Sequence, residues 1–268
     1  MKKILFIIAA AISASAMAAP GSLSGTPAEA VAHYFRATEH NDPVALGKAF
    51  QPSAMMYWLD DTGAMQAMTQ YRWKARMKAA GAPKPGANTN TVRQIDAGPE
   101  TAIVIATAKR GEKTYTDYML LLRLSDGWKI VAKVFADAGQ NVNVEETQAR
   151  VPVEAKLSSD GDWNVEHFQD SMLTRASVFS VEDRQMVSAS VPEWAARYIE
   201  RKAAKQSGLA ASKIEAIETT GAVGYAHWSI TASDGSIWHD RALLIREGAH
   251  WKIAALSYSG MSEPTSKN

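Results

Sequence analysis

Hydrophobic and polar positions along this 268-residue chain change period in a fixed order, helical first and alternating afterwards. Thr26-Pro27-Ala28-Glu29 reads as a capping box with proline in the first helical turn. Val31, Tyr34, Phe35 and Thr38 then recur at helical spacing, so one stripe of that helix is predicted to be buried. Asn41-Asp42-Pro43 ends it and starts a short second helix reaching Phe50. Met55 to Met68 reads as a strand hairpin turning at Asp60-Asp61-Thr62-Gly63. Thr69 caps a third helix, with Trp73 and Met77 on its buried face. After a Gly/Pro-rich break at 81–86, strands are predicted near Thr91–Asp96, Ala102–Lys109, Tyr115–Leu124 and Trp128–Phe135. The last two form a hairpin turning at Asp126-Gly127.

The same order is then written again. "DGWKIVAKVF" (Asp126–Phe135) returns as "AHWKIAALSY" (Ala249–Tyr258), with Trp128 and Trp251 lying 123 residues apart. Asp117/Asp240, Leu120/Leu243, Leu121/Leu244, Arg123/Arg246, Lys129/Lys252, Ile130/Ile253 and Ala132/Ala255 match at that offset. Upstream, "FQPS" from Phe50 answers "FQDS" from Phe168, and "WKAR" from Trp73 answers "WAAR" from Trp194. Ser190 and Glu193 form a second capping box, so a Trp stands four residues after the cap in both copies. Strands are expected at Lys213–Thr219, Gly224–Thr231, Ile237–Arg246 and His250–Tyr258. Helices segregated from long antiparallel strands define an α+β class, and internal repetition gives two tandem domains. Residues 140–151 are polar and unpatterned and read as a linker. Pro152 is expected to start or shorten the second copy's first helix. The expected division is 1–19, 20–139, 140–151, 152–262 and a tail at 263–268.

Composition narrows this picture. Lys2 and Lys3, the apolar run Ile4–Ile12 and a small-residue site near Ala18 and Ala19 have the order of a cleavable export signal. The expectation is a periplasmic or secreted protein with no membrane span. There are no cysteines, so disulfides and thiol chemistry are excluded. A formal charge of +1 argues against nucleic acid as partner. None of the six histidines stands in a metal-binding spacing. No phosphate-binding glycine loop or nucleophile elbow is present, so no metal or cofactor is expected.

Helix, short helix, hairpin, helix and a meander ending in "DGWKIVAKVF" resembles the nuclear transport factor 2-like superfamily. Tyr115–Phe135 ("YTDYMLLLRLSDGWKIVAKVF") resembles its lumazine-binding, SnoaL-like and ketosteroid-isomerase-like secreted members. The likeness is looser over 152–260, where Leu256 replaces Lys133. It implies a cone: a strongly bent antiparallel sheet wrapped over helices, with a pocket between. Superfamily members include isomerases, dehydratases, cyclases and binding modules, and fold does not choose among them.

Asp117 is the best candidate for chemistry. It sits in an otherwise apolar strand, where Asp is disfavoured, and Asp240 repeats it. On the pocket face it would be a desolvated general base; the other reading is a structural ion pair or a hydrogen bond to a helix end. Its face turns on a register that the pattern leaves open by one residue. Tyr34 is a candidate catalytic oxygen stabiliser or a core tyrosine, and Lys133 a partner of Asp117 or a solvated lysine. Tyr57, Trp58, Tyr71 and Trp73 in the first copy, and Trp163, Trp194, Trp228 and Trp238 in the second, are stacking groups for a flat ligand or core aromatics, with Trp58, Trp73 and Trp194 taken as site candidates. The expected ligand site is therefore Tyr34, Trp58, Trp73, Asp117, Lys133, Trp194 and Asp240. The second copy keeps the Asp but not Tyr34 or Lys133, which favours binding of a small apolar or aromatic molecule over catalysis. An isomerase-, dehydratase- or cyclase-type enzyme with Asp117 as base is the alternative, and a protein-interaction scaffold the next. The two domains are expected to pack sheet against sheet as a pseudo-dimer.

Overall fold

The computed structural model describes residues 25–81, 83, 86–139 and 146–261. The expected export signal, residues 140–145 of the expected linker and the expected 263–268 tail lie outside them. The first copy runs α1 (Pro27–His40), α2 (Pro43–Ala49), β1 (Phe50–Leu59), β2 (Met65–Thr69), α3 (Gln70–Ala80), β3 (Asn88–Ala97), β4 (Thr101–Arg110), β5 (Lys113–Leu124) and β6 (Gly127–Asp137). The second repeats the order as α4 (Glu146–Asp162), α5 (Val165–Ser171), β7 (Met172–Glu182), β8 (Gln185–Ser190), α6 (Val191–Ala203), β9 (Leu209–Thr220), β10 (Val223–Ala232), β11 (Ile237–Glu247) and β12 (His250–Met261). The fold is α+β, with two six-stranded sheets in tandem.

Strand order is β2-β1-β6-β5-β4-β3 in one sheet and β8-β7-β12-β11-β10-β9 in the other. All pairings are antiparallel except β1 with β6 and β7 with β12. The helical entry delivers β1 and β7 alongside the last strand of each meander in the same direction. Bulges recur at equivalent places, Leu120/Leu121 and Leu243/Leu244, where they bend the sheet.

Local chemistry sets the helix starts. The Thr26 hydroxyl accepts from the Glu29 N–H at 3.3 Å while the Glu29 carboxylate accepts from the Thr26 N–H. Ser190 and Glu193 repeat the exchange before α6. Asp42 caps α2 by accepting from Val44 and Ala45 at 2.8 and 3.0 Å.

Two sequence expectations change. Glu146–Val151 of the expected linker are helical, and α4 passes through Pro152. Proline there forfeits one backbone bond. Its ring is buried with Ala149, Val153, Lys156 and Leu157, at helical spacing, and that burial offsets the lost bond. The second is the F-Q-x-S match, which aligns different elements. Phe50 opens β1, whereas Phe168 lies in α5 and the counterpart of Phe50 is Met172.

β4 is apolar from Ala102 to Ala106 because both of its faces are covered there. Ala102, Val104 and Ala106 join the helix-side core, and Ile103 and Ile105 join a cluster that includes side chains of both copies. The same parity in β5 sends Met119 and Leu121 inward and Tyr118, Leu120 and Leu122 outward. Asp117 therefore points to the helix side. Polar bonds also cross between copies. Tyr118 meets Thr220 and Glu218 at 2.8 and 2.9 Å, and Arg241 donates to Asp96 and Thr101 at 2.9 and 3.0 Å.

Candidate functional site

In the first copy, Tyr34 from α1, Asp117 from β5 and Lys133 from β6 meet under Trp73 of α3. The Tyr34 hydroxyl donates to Asp117 Oδ2 at 2.5 Å, and Lys133 Nζ lies 2.8 Å from Oδ1. Lys133 Nζ also donates to the Tyr34 oxygen at 2.9 Å, as does Arg110 Nη2 at 3.1 Å. Asp117 is 1% exposed. Its two oxygens are thus engaged, and the one phenolic proton is spent on it. Burial, reinforced by the Asp117 charge, raises the Tyr34 phenol well above its ordinary value. Burial also pushes the Lys133 ammonium down to about 8; Asp117 opposes that and Arg110 adds to it. The Lys133 nitrogen lies 4.5 Å from the Phe135 ring centre and 5.7 Å from that of Trp73. A cavity of about 220 Å³ remains, walled by Met56, Met68, Trp73, Ala108, Tyr115 and Phe135 around these polar groups.

The second copy encloses a cavity of about 470 Å³ at the same place. Strand registers pair Ala108 with Ile230, Arg110 with Ala232, Tyr115 with Trp238, Asp117 with Asp240, Lys133 with Leu256 and Phe135 with Tyr258. The caps of α3 and α6 pair Trp73 with Trp194. The left-handed residues ending α1 and α4, Asn41 (φ 53°) and Trp163 (φ 56°), pair Tyr34 with Lys156 and Thr38 with Asp160. All the second-copy partners named here line the larger cavity. One cavity was thus built twice and furnished differently.

The cation that copy one takes from a strand, copy two takes from a helix. Lys156 Nζ pairs with Asp160 Oδ2 at 2.5 Å, and the Tyr198 hydroxyl donates to Asp160 Oδ1. Burial alone would lower the Lys156 ammonium; Asp160, Tyr198 and Asp240 more than offset it and raise it. Burial pushes the Asp240 carboxyl up to about 7, with Asp160 adding to the rise and Lys156, Trp228 and Arg241 opposing it. Trp163, Trp194, Trp238 and Tyr258 form aromatic walls, Trp194 and Tyr258 with ring centres 5.3 Å apart. The Arg201 guanidinium lies 4.7 Å from the Trp163 ring centre. Trp163 holds this place in a left-handed backbone that costs a non-glycine residue roughly 1–2 kcal/mol.

Of the sequence candidates, Tyr34, Trp73, Asp117 and Lys133 come together in one cavity, and Trp194 and Asp240 in the other. Trp58 joins neither. It stacks on Phe135 at 5.4 Å and faces a separate cleft with Lys113, Asp137 and Arg246. Arg110, Lys156 and Asp160 were missed. Counting α4 through Pro152 would have put Lys156 at the Tyr34 position; treating Pro152 as a helix start hid it. Among the described residues no cluster of His, Asp and Glu is placed to hold a metal ion.

A sheet bent by bulges over helices, enclosing a cavity and built twice, defines a tandem α+β cavity protein. The chain belongs to the family described as "Putative lumazine-binding", which it matches twice, over 26–136 and 141–259. No curated protein matches it. Among solved structures it is similar to an NTF2-like protein of unknown function from Shewanella baltica OS155. Identity there is 17%, over 41% of this chain and 90% of that one, with a TM-score of 0.39. An NTF2-like protein of unknown function from Methylobacillus flagellatus KT is 21% identical over 43% and 97% of the two chains, with a TM-score of 0.36. A ketosteroid isomerase-like protein from Erwinia carotovora atroseptica SCRI1043 is 15% identical over 45% and 99%, with a TM-score of 0.37. No helix among the described residues is long and apolar enough to cross a membrane.

Proposed function

We propose that this protein is an exported binding protein that holds a small, flat, largely apolar molecule in the cavity of its second copy. One observation carries the reading: that cavity, about 470 Å³, combines the aromatic walls Trp163, Trp194, Trp238 and Tyr258 with a few convergent polar groups at Asp240, Lys156 and Asp160. The order of residues 2–19 supports export to the periplasm or beyond. Hydrogen bonds between equivalent strands support a rigid sheet-to-sheet pseudo-dimer. Native mass spectrometry of the mature protein from its host, with tryptophan-fluorescence titration by 2-naphthol, tests the binding. A retained mass or saturable quenching that Trp238→Ser removes is expected. A bare mass together with no quenching by 2-naphthol would overturn the reading.

The second reading is proton-transfer catalysis, now centred on Asp240. A general base needs an oxygen open to substrate, and both Asp117 oxygens are taken. Asp240 lines the open cavity with a carboxyl near neutrality. On this reading Asp240→Asn keeps the ligand and abolishes turnover; turnover that survives the substitution removes Asp240 as the proton carrier.

A further inference from the structure

One positive charge is left over in the first copy's cavity. Lys133 is neutralised by Asp117 at 2.8 Å. The half-buried Arg110 at the end of β4 forms no ion pair among the described residues. Its guanidinium donates to the Tyr34 hydroxyl at 3.1 Å and to the Lys109 carbonyl at 2.6 Å, both neutral acceptors. Tyr34 holds the two cations apart by accepting from each. Lys133 has a third N–H, and Arg110 three more, beyond the bonds just named.

We infer that the first copy's cavity is a second, separate site for a small monocarboxylate, held by Arg110 and Lys133 with its apolar part among Met56, Met68, Trp73 and Phe135. A single negative charge balances the site, and a guanidinium offers a carboxylate two parallel N–H donors. At about 220 Å³ the cavity lies below the usual drug-sized range of roughly 300–1,000 Å³ and admits an acid with one ring or a short chain. The second copy lacks this pair of strand cations, because Ala232 and Leu256 stand where Arg110 and Lys133 do, and its Lys156 is already paired with Asp160. Duplication has thus divided the ligands, one anionic and one largely apolar. The inference goes beyond the binding proposed for the second copy and does not depend on it.

Isothermal titration calorimetry of the mature chain with benzoate, its neutral isostere benzamide, and inorganic phosphate tests this. Benzoate should bind once per chain and at least roughly tenfold more tightly than benzamide or phosphate, as a charge-assisted contact requires. Arg110→Gln should weaken benzoate by a similar factor and leave benzamide unchanged, while Arg110→Lys retains part of the affinity. Trp238→Ser, in the other cavity, should leave benzoate untouched. Arg110 is only partly buried and stands at a strand end, so its variants should keep the parent's circular dichroism and melting. Three results would each overturn the assignment: benzoate no tighter than benzamide, benzoate affinity unaltered by Arg110→Gln, or phosphate tighter than benzoate. Absence of benzoate binding up to about 10 mM would do so as well.

Discussion

Asp117 and Asp240 occupy one position in two copies and meet different partners. Asp117 receives a phenol proton and an ammonium at hydrogen-bond distance. Asp240 is buried equally, but the nearby ammonium of Lys156 is paired with Asp160, and burial raises the Asp240 carboxyl from 3.8 to about 7. The folded state therefore keeps a proton that the unfolded chain has lost between those values. Stability from this group is full below about pH 4 and declines as pH rises through 7, then levels off. About three pKa units at ~1.4 kcal/mol each make the loss on the order of 4 kcal/mol. Urea unfolding at pH 5 and pH 8 spans about two of those units and should show a fall of roughly 3 kcal/mol in the parent and little of it in Asp240→Asn. An equal fall in both would mean Asp240 is not the group that titrates. At this scale the sequence was partly legible. An Asp repeated in an apolar strand marked the position, and the strand's parity, fixed only by packing on both faces, decided where it points.

Helix caps carry the site at the scale of elements. Ser190 starts α6 so that Trp194 comes one turn later, against Tyr258 and over the cavity. Ser190→Ala removes the hydroxyl that accepts from the Glu193 N–H and should cost about 1 kcal/mol of unfolding free energy. It should also weaken any 2-naphthol quenching, because the first turn that aims Trp194 frays. No loss in urea unfolding would show that tertiary packing alone fixes the start of α6. Capping boxes, the Asp126-Gly127 turn and strand periodicity were readable because their signals are local. The parallel pairings of β1 and β7 were not, since they depend on where the chain returns after α3 and α6. Pro152 misled for a related reason. Its local penalty is real, but the buried stripe from Ala149 to Leu157 outweighs it. The error passed directly to the site by concealing Lys156.

Duplication makes its own prediction at the scale of the whole molecule. Tyr118 and Arg241 are equivalent positions, and so are Asp96 and Glu218. Tyr118 of the first copy reaches Glu218 of the second, and Arg241 of the second reaches Asp96 of the first. Such reciprocity is what the proposed sheet-to-sheet pseudo-dimer, an isologous contact within one chain, requires. The two arms are not equally strong. Arg241 is 3% exposed and holds Asp96 at 2.9 Å, with His227 Nδ1 2.8 Å from the other carboxylate oxygen. Burial by itself would raise the Asp96 carboxyl; the His227 hydrogen bond and the Arg241 charge outweigh it and bring it down to about 2. A depressed carboxyl contributes stability that is present above its ordinary value of 3.8 and lost as pH falls through about 2. Arg241→Met should therefore move the acid-unfolding limb to higher pH. At neutral pH it should cost roughly 3–5 kcal/mol, because Asp96 loses its permanent cation. In a double-mutant cycle with Asp96→Asn, the two losses should fall short of adding by at least about 1 kcal/mol. Strict additivity, with an unmoved acid limb, would mean that the copies are held by their apolar faces alone and that this ion pair couples nothing.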